Sequence, residues 1–271
     1  MKAHEIPMSK DYLEVTTIIG CPVNCIKYCP QELIVKKYAG VPRLSVDDFK
    51  KYIDSVPQDR LIWFCGFSEP LMNPDTITMM EIATNAGHKI NLSTTLSGIS
   101  VEDAERMVKL PFNLITLHLP DACGNAHIKM DERYFAVLKT VLLSIPNISF
   151  MSMNGTFETN HTEEIARGAA QQYHKGRISC KFLSAPNFQL MPNGDVYFCC
   201  MTRGLSGKIG SMKEKSYCDF VNMIPEISGR LAKNSDSVCH YCAWSTSYWR
   251  MEVPMKILRL TAKLWKRLGF V

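Results

Sequence analysis

No stretch of this chain approaches the roughly 20 consecutive apolar residues that a membrane span needs. The opening run Met1-Lys2-Ala3-His4-Glu5 has no hydrophobic signal core. Low-complexity tracts, long linkers and repeats other than a βα unit are also missing. These absences predict a soluble globular protein, with a cytoplasmic location as the expectation. A content of 46% hydrophobic and 21% charged residues fits that class, and 271 residues suffice for one large domain or a domain with a small appendage. Acid is lacking in one place: from Lys256 onward the chain carries Lys256, Arg259, Lys263, Lys266 and Arg267 and no Asp or Glu. The other basic residues balance the 26 acidic ones, so the net charge of +5 sits in that last segment. No general basic surface for nucleic acid follows from it.

What is abundant is cysteine. Eleven cysteines without an export signal point to metal ligation rather than disulfides, because cytosolic thiols are kept reduced. They cluster as Cys21, Cys25 and Cys29, then Cys180, Cys199 and Cys200, then Cys239 and Cys242. Cys65, Cys123 and Cys218 stand alone, and the plain expectation for each is a small buried apolar residue.

Periodicity organises the chain. Strand-like runs at Glu14–Ile19, Leu61–Cys65, Lys89–Ser93, Leu114–Leu119, Ile148–Met153 and Ile178–Leu183 alternate with helical patterns. Those helical patterns cover Val46–Ser55, Asp75–Asn85, Val101–Leu110, Glu132–Leu143 and Thr162–His174. Ser45, Asn73-Pro74-Asp75 and Ser100 supply start signals, and Gly87 a stop. Six βα repeats predict a parallel sheet covered by helices, doubly wound or curled as a barrel, with chemistry at the C-terminal ends of the strands. After about Ser184 the pattern changes to a hairpin, Phe188–Met191 and Val196–Cys199 around Asn193-Gly194, followed by a helix near Tyr217–Leu231 and the knuckle Cys239-His-Tyr-Cys242.

The loop after the first strand, Cys21-x3-Cys25-x3-Cys29, places three thiols on one loop. Three thiolates can hold three irons of a cubane [4Fe–4S] cluster and leave the fourth iron open. Zinc is the alternative, although zinc knuckles pair ligands on two arms and need a fourth ligand. The turn after the second strand, Cys65-Gly66-Phe67-Ser68-Glu69-Pro70, offers a glycine for close backbone approach and a carboxylate for an ammonium group.

Together these two motifs resemble those of the radical S-adenosylmethionine (radical SAM) superfamily, over roughly Glu14 to Leu183. That resemblance implies a partial (β/α)6 TIM-like barrel at 1–184. It also implies cofactor contacts at Tyr28, Gly66, Glu69, Pro70, Thr94 and His118, and reductive cleavage of S-adenosylmethionine to a 5′-deoxyadenosyl radical. The family's common spacing has one residue fewer before the third cysteine. The extra residue before Tyr28 is expected to bulge the loop without removing a ligand.

The later cysteines resemble the short "twitch" form of the auxiliary-cluster domain, implied at 185–253. Cys180, Cys199, Cys239 and Cys242 would close a second [4Fe–4S] cluster, with zinc on the same four residues as the alternative. Strand alternation would send Cys199 and Cys200 to opposite faces, with Cys199 as the ligand. Cys200 and Cys123 are then candidate hydrogen donors to a substrate radical. The residues at 254–271 form a basic amphipathic pattern suited to a solvated terminal helix packed on the barrel or to peripheral contact with an anionic membrane.

Three plus four cysteines in a compact chain look like aminoglycoside-tailoring dehydrogenases and epimerases. The implied reaction is hydrogen abstraction at a hydroxyl-bearing carbon of a sugar- or cyclitol-like substrate, or glycan, with flavodoxin or ferredoxin as electron donor. In the oxidation case the auxiliary cluster would take the second electron. Modification of a ribosomally made peptide is the second reading, disfavoured by the lack of an N-terminal segment long enough for a leader-binding domain. A zinc-stabilised binding protein is the third.

Overall fold

Alternation of side chains along the first strand, Tyr-Leu-Glu-Val, forecasts a sheet with one face toward helices and one toward a polar space, and the architecture follows it. The computed structural model describes residues 12–25, 29, 31–120, 124–152, 173–180, 187–202, 204–233, 238–242 and 245–247, with 257, 260 and 261. Its strands are β1 (Tyr12–Val15), β2 (Leu61–Phe64), β3 (Ile90–Thr94), β4 (Phe112–Leu119), β5 (Ile148–Ser152), β6 (Ile178–Cys180), β7 (Phe188–Leu190), β8 (Asp195–Tyr197), β9 (Lys208–Ser211) and β10 (Ser245–Ser247). The helices are α1 (Gln31–Lys37), α2 (Val46–Ile53), α3 (Thr76–Asn85), α4 (Val101–Met107), α5 (Glu132–Ser144) and α6 (Tyr217–Lys233).

The main sheet has the order β5-β4-β3-β2-β1-β7-β8-β9. From β5 through β7 every pairing is parallel, whereas β8 pairs antiparallel with both β7 and β9. With helices following the strands, this is the α/β architecture of a partial TIM-like barrel. Leu13, Val15, Ile62, Phe64, Ile90, Leu92, Ile115 and Leu117 are all buried in one core with Phe49 of α2, Met79 and Met80 of α3, Met107 of α4 and Val137 of α5. Each such side chain contributes about 1.5–3 kcal/mol through burial. The alternate residues, Tyr12, Glu14, Trp63, Ser93 and His118 among them, lie on the other face.

Helix starts follow local chemistry. Asp48 N–H donates to Ser45 Oγ at 3.1 Å and Asp103 N–H to Ser100 Oγ at 3.0 Å, so both serines cap as expected. Before α3 the capping works differently: Asp75 makes no side-chain cap bond, and Asn73 Oδ1 instead accepts from Asp75 N–H at 3.0 Å.

Four differences from the sequence reading stand out. β1 ends at Val15 rather than Ile19: Thr16 N–H still donates to the Leu190 carbonyl of β7 at 2.9 Å, and the Thr17 carbonyl then turns to accept from Asn73 Nδ2 at 2.9 Å. Among the described residues β6 pairs antiparallel with β10, Cys180 opposite Ser245, and the sixth parallel strand is β7, bonded to β1. β8 stops at Tyr197, so Cys199 and Cys200 lie beyond the strand. Cys218 is exposed on α6 rather than buried. Residues 162–172, 181–183 and most of 254–271 lie outside the described residues. Of the terminal segment, Ile257 and Leu260 are helical and exposed. Among the described residues no helix is long and apolar enough to cross a membrane.

Candidate active site

A cavity of about 320 Å³ opens where the parallel strands end, lined by residues from six separate segments. Cys21, Cys25 and Cys29 reach it from the loop after β1, Gly66 and Glu69 from the turn after β2, Ser93 and Thr95 from the end of β3, His118 from β4 and Cys200 from beyond β8. Of these nine, all but Ser93 and Thr95 are candidate site residues in the sequence, where Ser93 only ends the third strand-like run.

Cys29 N–H donates to the Cys25 carbonyl at 2.8 Å, and both cysteines line the cavity. Asn24 takes a left-handed φ of 41°, a conformation asparagine tolerates, and the Val23 carbonyl accepts from His127 N–H at 2.6 Å. Gln31, the first residue of α1, holds both ends of the loop. Its Oε1 accepts from Cys21 N–H at 3.0 Å, while its Nε2 donates to Cys29 Sγ at 3.1 Å and to the Phe67 carbonyl at 2.5 Å. Burial, with Glu69 nearby, pushes the Cys21 thiol up to about 11, so it stays neutral near pH 7 until a metal displaces its proton.

Glu69 is the hub of the next turn. Its Oε1 accepts from Thr94 Oγ1 at 2.5 Å and Leu71 N–H at 3.2 Å, and its Oε2 from Thr95 N–H at 2.6 Å and Thr95 Oγ1 at 2.7 Å. A carboxylate offers about four lone-pair sites. Protein donors therefore engage all of them, and Glu69 binds the β2 turn to the end of β3 rather than presenting an open carboxylate. Burial raises its pKa, and these hydrogen bonds oppose that rise. Leu96 adopts φ 61° immediately afterwards, with its N–H on Thr94 Oγ1 at 2.8 Å, which turns Thr95 back onto Glu69. Thr94 thus spends its hydroxyl on Glu69. The Pro70 carbonyl accepts from Thr17 Oγ1 at 2.9 Å and Thr76 Oγ1 at 2.6 Å.

Gly66 has φ +103°, and a Cβ there would meet Thr16 Oγ1 at 2.3 Å and Gln189 Nε2 at 2.6 Å. Its required closeness is to the protein itself, a packing reason the sequence did not reveal. Trp63, Cys65, Glu14 and Gln31 also line the cavity and were not foreseen as site residues. For Glu14 and Trp63 the signal was available: period-two alternation puts both on the face away from the helices.

The second cysteine set gathers around β10. Ser245 Oγ donates to the carbonyls of Cys239 at 2.5 Å and Cys242 at 2.9 Å, and Ser245 stands opposite Cys180 in the β6–β10 pairing. Cys199 is held well above the usual thiol range by a hydrogen bond with the Cys200 thiol and by burial, with Cys239 adding to the rise. Cys199 and Cys200 therefore touch each other instead of pointing to opposite faces. The strand-alternation argument fails because neither residue is in a strand. Cys199 borders the knuckle and Cys200 the cavity. Among the described residues no three His, Cys, Asp or Glu side chains crowd one point closely enough to share a single metal ion. Thiolates about 2.3 Å from a tetrahedral zinc would sit roughly 4 Å apart. A cubane spreads its ligands over separate irons, and three thiols along one cavity wall fit that donor arrangement. Tyr28 and Cys123 lie outside the described residues.

Fold and site together define an α/β enzyme-like scaffold with a thiol-lined cavity at the strand C-termini. Comparison of structures places it with three solved structures of two proteins. BtrN in complex with AdoMet and 2-DOIA superposes with a TM-score of 0.61 at 12% identity, covering 82% of this chain and 87% of that one. Native anSMEcpe with bound AdoMet gives 0.52 at 12% identity, covering 86% of each chain. The same protein with AdoMet and the Cp18Cys peptide gives 0.50 at 14% identity, again covering 86% of each. The chain shares the fold of these proteins. No family model and no curated protein sequence matches it.

Proposed function

We propose that this chain is a radical SAM enzyme that abstracts hydrogen from a hydroxyl-bearing carbon of a sugar- or cyclitol-like substrate. The observation that carries the reading is the convergence of Cys21, Cys25, Cys29, Glu69, Thr95 and His118 on one cavity at the C-terminal edge of a parallel sheet. The fold shared with two AdoMet-bound proteins supports it. Cys21, Cys25 and Cys29 would hold the open cluster, and Cys180, Cys199, Cys239 and Cys242 an auxiliary one. When bound, the open cluster and S-adenosylmethionine supply a 5′-deoxyadenosyl radical.

This chain's residues have three tasks around that chemistry. Glu69, Thr94 and Thr95 fix the β2 and β3 ends as one rigid wall. Gly66, Pro70, Tyr28 and His118 are assigned to cofactor contact. The sheet face toward the cavity supplies polar contacts to substrate. On that face Glu14 and Ser93 line the cavity. Cys200 reaches the same cavity and is the candidate donor of a hydrogen atom to a carbon radical. An external one-electron donor such as a flavodoxin or ferredoxin, with a proton, would restore the thiol. Cys123 is the second candidate donor. The domain division at 184 and 253 and a membrane contact by the terminal helix belong to the same proposal.

Peptide modification is the second reading, favoured by the likeness to the Cp18Cys-bound structure. Anaerobic incubation of the reconstituted protein with S-adenosylmethionine, reductant, aminocyclitols, sugars and a cysteine-containing peptide in deuterated water separates the outcomes. Deuterium gained at a carbinol carbon indicates epimerisation and a two-hydrogen mass loss indicates dehydrogenation. Turnover of the peptide alone would overturn the carbohydrate assignment.

A further inference from the structure

We propose that Gln31 is a positioning residue for the first cluster: its side-chain amide, donating to the Cys29 sulfur, raises that cluster's reduction potential and locks Cys29 and Cys21 against the Phe67 carbonyl. The inference rests on the reading of Cys21, Cys25 and Cys29 as cluster ligands. Gln31 is only 6% exposed, and its amide is used on both sides. Nε2 donates to Cys29 Sγ at 3.1 Å and to the Phe67 carbonyl at 2.5 Å, while Oε1 accepts from Cys21 N–H at 3.0 Å. The amide cannot be reversed without setting its oxygen against the Phe67 carbonyl oxygen and its nitrogen against the Cys21 N–H. One N–H is therefore committed to a ligand sulfur. Phe67, its other partner, sits in the Gly66–Glu69 turn, so this one side chain couples the cysteine loop to the adjoining wall of the cavity.

An N–H aimed at a thiolate sulfur favours negative charge there, and one-electron reduction adds negative charge to a cluster and its ligands. Such a bond is stronger in the reduced state, so removing it makes reduction harder. Only the difference in that bond between the two states moves the potential, and its loss is expected to lower the reduced-to-oxidised ratio by roughly tenfold.

The test is a dithionite redox titration of the reconstituted full chain, followed by electron paramagnetic resonance. The first cluster is recognised by the change in its signal when S-adenosylmethionine is added. Gln31→Met keeps the length and removes both N–H groups; Gln31→Glu keeps the acceptor and removes the donor. Both should show roughly a tenfold or greater fall in reduced first cluster at a fixed potential, with the auxiliary signal unchanged. Full iron content and an unchanged first-cluster titration in Gln31→Met would overturn the proposal. Should the first cluster fail to assemble, circular dichroism of the cluster-free protein decides. A normal melt with the auxiliary cluster retained supports the lock on Cys29 and Cys21, whereas an early melt and loss of both clusters in both variants reduces Gln31 to a fold-stabilising residue and ends the proposal. A wild-type protein with no cluster that responds to S-adenosylmethionine would instead refute the functional reading itself.

Discussion

Gly66 shows how a single residue can be read correctly in kind and wrongly in cause. A glycine after β2 was legible as a site of close approach, but the groups that approach are Thr16, just after β1, and Gln189 of β7, far apart in sequence. Gly66→Ala should destabilise the protein by about 1–3 kcal/mol, since both the left-handed backbone and the contact are then strained, and thermal melting would show it as a drop of several degrees. Glu69 carries a pH prediction. Burial raises its folded pKa, so its favourable contribution is complete below the ordinary carboxylate range and is lost as pH rises through the raised value. The melting-temperature advantage of wild type over Glu69→Gln, measured on the cluster-free protein, should therefore shrink as pH rises above the ordinary carboxylate range of about 4. An advantage that grows with that rise would contradict the assigned direction. Gln31 was invisible beforehand for a related reason: nothing in a glutamine two residues after a cysteine announces that its amide will meet three backbone or thiol groups.

Elements were more legible than residues, because periodicity and caps act locally. Ser45 and Ser100 start α2 and α4 where the sequence says they should, and the apolar faces of α2 to α5 meet the apolar face of the sheet. The departures involve pairing between distant segments. Ile178–Cys180 has the composition of a strand, yet its described partner is β10, a three-residue Ser-Thr-Ser segment with no strand signal of its own. β7 completes the parallel set beside β1, a placement that hairpin chemistry alone cannot specify. The β6–β10 pairing matters because Ser245 joins the Cys239–Cys242 knuckle to Cys180. Ser245→Ala should lower the iron held by the second cysteine set while the first set keeps its own, a difference visible in iron content per chain and in the spectrum of the auxiliary cluster. Equal loss from both sets would mean that Ser245 serves the whole fold instead.

At the scale of the whole molecule, the topology brings together what the sequence spreads over 180 residues: Cys21 and Cys200 line the same cavity, one after β1 and the other after β8. A parallel sheet does this for the loops after β1, β2 and β3, because those strands end at one edge, whereas Cys200 follows the antiparallel β8 and reaches the cavity outside that rule. The position of the site was thus predictable once the βα alternation had been recognised. That Cys199 and Cys200 lie beyond the strand was not, since it depends on where β8 stops. The central claim is that the loop from Cys21 to Cys29 holds a cluster that cleaves S-adenosylmethionine. Its most direct test is 5′-deoxyadenosine formation by anaerobically reconstituted protein with reductant, comparing wild type and Cys29→Ala. The account predicts a brown wild-type protein with about eight irons that forms 5′-deoxyadenosine, and a variant that retains about four irons and forms none. A colourless zinc-containing wild type, or equal 5′-deoxyadenosine from both proteins, would contradict it.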